Sequence, residues 1–238
     1  MTKANELYIL AFGAHPDDVE LAAGGTMLKH ARAGRKIGII DLTEGELSSR
    51  GNVNTRYEES NAAAKFMGLT HRENLKMQDG FFKHDSASIL EIINRIRKHR
   101  PQIVLCNSPS DRHPDHGRAS AMVREACFLS GLHKIETEAL EPWRPKSVLM
   151  YIQDYDHSPD IVVNITGLVE DKMKLLSCYS SQFFSENMQG HQTPISGKDF
   201  LTFVEARCYH HGRAAGFDAG EGFLTERVVG VELLNDHY

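Results

Sequence analysis

Residues 13–20 read Gly-Ala-His-Pro-Asp-Asp-Val-Glu, a short segment that concentrates the imidazole of His15 with the carboxylates of Asp17, Asp18 and Glu20. A second segment, Ser110-Asp111-Arg112-His113-Pro114-Asp115-His116, repeats the theme much later in the chain. Each has a structural explanation when taken singly. Asp17 with Glu20 fits an N-terminal capping box, and acids in a first helical turn suit the helix dipole. Pro114 fits a first helical turn, where Asp115 would also complement the dipole. Capping employs one acid per helix, however, and leaves His15, Asp18, His113 and His116 without a purpose. Together the segments point to a metal. A catalytic zinc takes three ligands from His, Asp or Glu and keeps one position for water. Histidine at i and aspartate at i+3, on a turn entering a helix, can face one point that a remote histidine completes. His15, Asp18 and His116 are the expected ligands. The expected ion is Zn2+, with Fe2+ as the alternative that accepts the same two-histidine, one-carboxylate set.

The elements that must position these segments follow from the apolar pattern. Residues 7–12, 36–42 and 102–106 are short runs rich in β-branched residues, as expected of strands buried on both faces. Residues 21–32, 55–67 and 86–100 carry apolar residues at helical spacing, with Gly34, Gly68 and Pro101 as stops. The alternation predicts an α/β fold, a Rossmann-like doubly wound and mostly parallel sheet, in which ligands bind beyond the carboxyl ends of the strands. Both histidine segments stand just past a predicted strand and before a predicted helix, the second at 117–128. Further strands are expected at 147–151 and 161–165 and helices at 168–177 and 198–212. An irregular stretch, 179–196, lies between those last helices. No repeat or linker divides the chain, so residues 1–238 are read as a single domain.

The bulk properties exclude several classes. With 238 residues, 41% hydrophobic and 25% charged, the composition is that of an ordinary globular chain. No apolar run is long enough for a membrane helix, and the start lacks a signal-peptide pattern, so no membrane partner and a cytoplasmic location are expected. A net charge of -5 argues against nucleic acid. The basic cluster Arg95, Arg97, Lys98 and Arg100 is expected to be a solvated helix end. Cys106, Cys127, Cys178 and Cys208 are too scattered for a zinc knuckle or redox motif and are read as idle thiols.

The two histidine segments resemble the LmbE-like or PIG-L family of metal-dependent N-deacetylases. Thr43-Glu44-Gly45-Glu46, Arg56-Tyr57-Glu58-Glu59, Gln192-Thr193-Pro194 and Glu221-Gly222-Phe223 extend the likeness to the bacillithiol-biosynthesis branch, BshB, across essentially the whole chain. The resemblance implies a Rossmann-like fold, zinc, a homo-oligomer, and a small-molecule substrate: an N-acetylated sugar conjugate, N-acetylglucosaminyl malate. It also makes Asp17 the general base, His113 the group that stabilises the oxyanion, and Asp115 the acid that favours the His113 imidazolium; a plain capping role is the alternative for His113. Arg56 and Arg112 are candidates for gripping an anionic or hydroxylated substrate, and Glu44 for binding sugar hydroxyls. His157 and His191 are left unassigned, and Tyr209, His210 and His211 are read as packing or solvent-facing.

Other readings are a metal-dependent phosphoesterase, a deacetylase of a different N-acetylglucosamine compound, a nucleotide-binding module and a metal-binding protein without activity. The first lacks the extra acids of a two-metal centre. The nucleotide module lacks G-x-G-x-x-G, and its acids would repel a pyrophosphate. The inactive protein would not need Asp17.

Overall fold

The computed structural model describes residues 6–137, 139–186 and 191–231. Its elements in chain order are β1 (Ile9–Gly13), α1 (Asp18–Arg32), β2 (Ile37–Thr43), α2 (Val53–Met67), β3 (His71–Met77), α3 (Ser86–His99), β4 (Ile103–Asn107), α4 (Pro114–Leu129), β5 (Ser147–Tyr151), β6 (Ile161–Asn164), α5 (Val169–Leu176), α6 (Lys198–Ala214) and β7 (Gly220–Thr225). The strands form one sheet in the order β3-β2-β1-β4-β5-β7-β6. Its neighbouring pairs are parallel except those made by β7, which runs antiparallel to β5 and β6. The mostly parallel α/β fold is the one expected from the alternating pattern.

The central strands are continuous apolar runs because both sheet faces are covered. Ile9 and Ala11 pack with α1, α2 and α5, while Leu10 and Phe12, pointing the other way, pack with α3 and α4. Helix starts are set by local caps: Asn52 accepts from the Thr55 amide at 3.0 Å and Asp85 from the Ser88 amide at 3.0 Å.

Two strands escaped the sequence pattern. β3, His-Arg-Glu-Asn-Leu-Lys-Met, is an edge strand whose half-buried side chains are mostly polar. β7 starts Gly-Glu-Gly and is held between two partners by ladder hydrogen bonds rather than by an apolar run. The basic cluster at the end of α3 also differs from expectation. Arg97 is buried, and its guanidinium donates to the carbonyls of Ser130, Leu132, Ile135 and Leu140, satisfying the loop beyond α4. Arg95 is bound to Glu73. Cys106, Cys127 and Cys208 are buried free thiols. Of the irregular stretch 179–196, residues 187–190, with Gly190, lie outside the described residues. Among those described, no helix is long and apolar enough to cross a membrane.

The chain leaves β1 for β2 on one side and later enters β4 on the other. The crevice between the carboxyl ends of β1 and β4 is therefore the topological switch point, where sheets of this kind hold their ligands. The loop after β1 carries His15 to Asp18, and the loop after β4 carries Asp111 to His116.

Candidate active site

The turn after β1 is built to present its side chains rather than to cap its helix. Asp17 precedes α1 but makes no capping hydrogen bond with its side chain, and its φ of 117° lies where a non-glycine residue is strained. The carboxylate is released from capping and lines the cavity. Glu20 points elsewhere, to Arg72 and to the Tyr179 hydroxyl at 2.8 Å. The capping role falls instead to His113, whose Nδ1 accepts from the Asp115 amide at 3.3 Å.

Asp18 is the hub. Its Oδ1 lies 3.2 Å from His116 Nε2, and its Oδ2 lies 3.7 Å from His15 Nδ1. Donors around a tetrahedral zinc, at bond lengths of about 2.0–2.1 Å, stand about 3.3 Å apart, which these separations bracket. Asn107 Nδ2 and the His15 amide donate to Oδ2, both at 3.0 Å, and Gln153 Nε2 donates to Oδ1 at 2.8 Å. The second nitrogen of each imidazole is also taken: His116 Nδ1 lies 2.7 Å from Asp111 Oδ2, and His15 Nε2 lies 3.0 Å from Asp79 Oδ1 and 3.5 Å from Asp115 Oδ2. A carboxylate behind each histidine is the arrangement that orients metal-ligating imidazoles. Donor atoms also cluster in His15, His113 and His116, and in His15, Asp79 and Asp115. The donor chemistry fits a zinc-class ion.

The electrostatics follow from burial of many charges in one place. Burial would lower the His15 imidazole, but Asp115, Asp18 and Asp79 hold its pKa well above the histidine range. Burial likewise opposes the charge on His116, yet Asp18 and Asp111 lift it to about 9. Asp18 is buried too, and its histidine partners keep it well below the carboxylate range. Asp17 is the exception: burial pushes it up to about 7 against the pull of Arg56. His113 is lowered by burial and by the nearby His15 and His116 charges.

Several expected site residues meet here. His15, Asp17, Asp18, Arg56, Arg112, His113 and His116 line a cavity of about 190 Å³, with Gln153, Asp154 and Gln182. Arg56 is buried, with Nη1 3.3 Å from Asp17 Oδ2 and Nη2 donating to the Pro16 carbonyl. Arg112 sits half-exposed and pairs with Asp154. The Asp115 carboxylate turns to His15, to the Gly80 amide at 2.8 Å and to Arg118 at 2.6 Å; it meets His113 only through its backbone amide. Glu44 is not brought to this cavity. It pairs with Lys76 at 3.3 Å and faces a neighbouring one. His157 binds Ser108 and the Ser110 carbonyl, and the His191 carbonyl accepts from Arg50. His211 is buried and Tyr209 half-exposed on α6.

Sequence reading missed Asp79, Asn107, Asp111 and Gln153. Asn107 and Gln153 could have been found as polar residues closing or following apolar strands, and Asp111 by its place beside His113. Asp79 gave no signal, because it follows the unread strand β3.

A His/Asp constellation with the donor chemistry of a metal centre, set at the switch point of a mostly parallel α/β sheet, defines the class of protein. Residues 10–127 match the family model PIG-L, described as GlcNAc-PI de-N-acetylase. Over 189 residues the chain is 30% identical to diacetylchitobiose deacetylase of Thermococcus kodakarensis, covering 74% of this chain and 70% of that protein. It is 25% identical to 1D-myo-inositol 2-acetamido-2-deoxy-alpha-D-glucopyranoside deacetylase of Kineococcus radiotolerans, over 61% of this chain and 52% of that one. The fold matches the conserved protein TT1542 of Thermus thermophilus with a TM-score of 0.86 and 30% identity, covering 96% and 98% of the two chains. The chain belongs to the PIG-L family of deacetylases. The matches reach the family and not one branch within it.

Proposed function

We propose that this chain is a zinc-dependent de-N-acetylase that hydrolyses the 2-acetamido group of an N-acetylglucosaminyl conjugate, and that the conjugate is N-acetylglucosaminyl malate. The observation that carries this reading is the double engagement of Asp18 by His15 and His116, each imidazole backed by a further carboxylate. The names of the two deacetylase relatives, which both denote loss of acetyl from an acetamido sugar, support the substrate class.

His15, Asp18 and His116 would hold the ion. Bound zinc supplies a Lewis acid and makes the attacking water more acidic. Asp17 takes the proton from that water and returns it to the leaving amine; its raised pKa suits both transfers. With His113 Nδ1 accepting from a backbone amide, the proton of this imidazole sits on Nε2. That N–H donates to the former carbonyl oxygen as it gains charge, without requiring an imidazolium. Asp115 acts mainly by orienting His15. Arg112, at the rim, grips the carboxylates of the malyl group, and Arg56 holds Asp17.

Acetate release by the zinc-loaded protein tests the reading. N-acetylglucosaminyl malate is expected to exceed free N-acetylglucosamine in kcat/KM by about tenfold or more, roughly 1.4 kcal/mol of added transition-state contact. No acetate from any acetamido sugar would sink the activity; equal rates with both would sink the malate assignment alone.

A further inference from the structure

The start of β3 and the end of α3 bring together a second group of metal-binding side chains, far along the sheet from the first. His71 and Glu73 alternate along β3 and so share a face, the one covered by α3. His99, the last residue of α3, meets them there. The His71 and His99 rings stand 4.3 Å apart between centroids, and His71 Nε2 lies 3.3 Å from Glu73 Oε2. One ligand atom from each of the three residues lies within 4.8 Å of the others.

The surroundings hold this group in place. Arg95 donates to Glu73 Oε1 from Nε at 3.0 Å and Nη2 at 2.8 Å, which orients the carboxylate and turns Oε2 toward His71. On β2, Gly38 lies beside His71 in register; a Cβ there would come within 2.8 Å of Leu7 Cδ1 and 3.3 Å of the His71 Cβ, so both need the glycine. His99 is buried, whereas the side chains of His71 and Glu73 remain 28% and 24% exposed, so an ion can enter from solvent and keep waters.

We propose that His71, Glu73 and His99 form a second metal site, for a divalent transition-metal ion of the zinc, nickel or copper class. Two imidazoles and one carboxylate suit these ions rather than Mg2+ or Ca2+, which prefer oxygen ligands. Two imidazoliums at this ring distance would repel, and Glu73 is already shared with Arg95; an ion binds both rings in their neutral form. Arg95 and the nearby Lys98 oppose a cation, so binding rests on imidazole coordination rather than on net charge. His15 and His116 follow the carboxyl ends of β1 and β4, whereas His71 opens β3 and His99 precedes β4. An ion here ties an edge strand to its covering helix and takes no part in the reaction.

The test is metal stoichiometry in the full chain, stripped of metal and titrated calorimetrically with Zn2+ or Ni2+. His71→Ala and Glu73→Gln are each expected to bind one ion fewer than the wild type, with acetate release by the zinc-loaded protein unchanged. In a His116→Ala background, Ni2+ should still raise Tm, and adding His71→Ala should abolish that shift. Equal stoichiometry in wild type, His71→Ala and Glu73→Gln overturns the proposal, whether or not the first site binds. If His71→Ala does not fold, Glu73→Gln, which keeps the side-chain shape, decides.

Discussion

The guanidinium of Arg56 touches both the backbone and the side chain of the turn that follows β1: Nη2 donates to the Pro16 carbonyl, and Nη1 lies 3.3 Å from Asp17 Oδ2. It therefore holds a strained turn and biases the proton affinity of the proposed base. Arg56 opposes the rise caused by burial, which leaves Asp17 at about 7. A base works ionised, so kcat/KM must fall as pH drops below the Asp17 pKa. That limb lies lower in the zinc-loaded protein, because the ion also favours the carboxylate. Arg56→Gln removes the charge, and it should move the acid limb to higher pH. A limb at the same pH in variant and wild type would show that Asp17 does not feel Arg56.

Asp17→Asn keeps the shape of the turn and removes the proposed base. Turnover should fall by about 10²–10⁴-fold, the usual worth of general acid–base catalysis, while zinc content stays at the wild-type level. Metal analysis and acetate release on the same sample check both halves, and a fully active variant would refute the assignment.

Metal binding must expel protons. His116, at about 9 in the absence of metal, and His15, held well above its usual range, are protonated at neutral pH and must become neutral to act as ligands. Zinc affinity should thus rise steeply from pH 6 to 8, by up to about tenfold per pH unit for each proton expelled. The metal-free protein should behave oppositely. A raised His116 pKa contributes stability fully below the unfolded value of about 6.5, and this is lost as pH rises toward 9. Chelator competition and Tm of the metal-free chain over that range measure the two trends.

Asp111 supports His116 through Nδ1 at 2.7 Å. Asp111→Asn should weaken zinc binding by about 10–100-fold, the usual cost of losing a group that orients a ligand. Competition with a chelator of known affinity reads it directly, and unchanged affinity would mean that His116 is not a ligand or does not need orienting.

Away from the site, the buried pair Lys172 and Glu221, 2.6 Å apart, joins α5 to β7, and Glu221 also accepts from the Gly25 and Thr26 amides of α1. Lys172→Met strands a buried carboxylate and should cost about 3–5 kcal/mol in urea unfolding. A loss below about 1 kcal/mol would mean that the two helix amides alone satisfy Glu221.

The sequence by itself determined the α/β alternation and the two segments at its heart, because both signals are local. Residues 9–13 and 37–43 are apolar almost throughout since each faces two helical layers, and His15 with Asp18 share one turn whatever surrounds them. Tertiary structure decided the rest. The charged strand β3 belongs to the sheet through ladder pairing with β2 at an edge where half-burial tolerates polar side chains, and only its placement delivers Asp79 to His15. Glu44 and Arg56 both look like substrate ligands in sequence, yet pairing with Lys76 draws one aside while burial against Pro16 draws the other onto Asp17. Asp17 reads as a helix cap until the backbone places it at positive φ, where its carboxylate makes no capping bond and faces the cavity instead. These outcomes depend on which strand lies beside which and on what that removes from water, and neither is written in the spacing of residues along the chain.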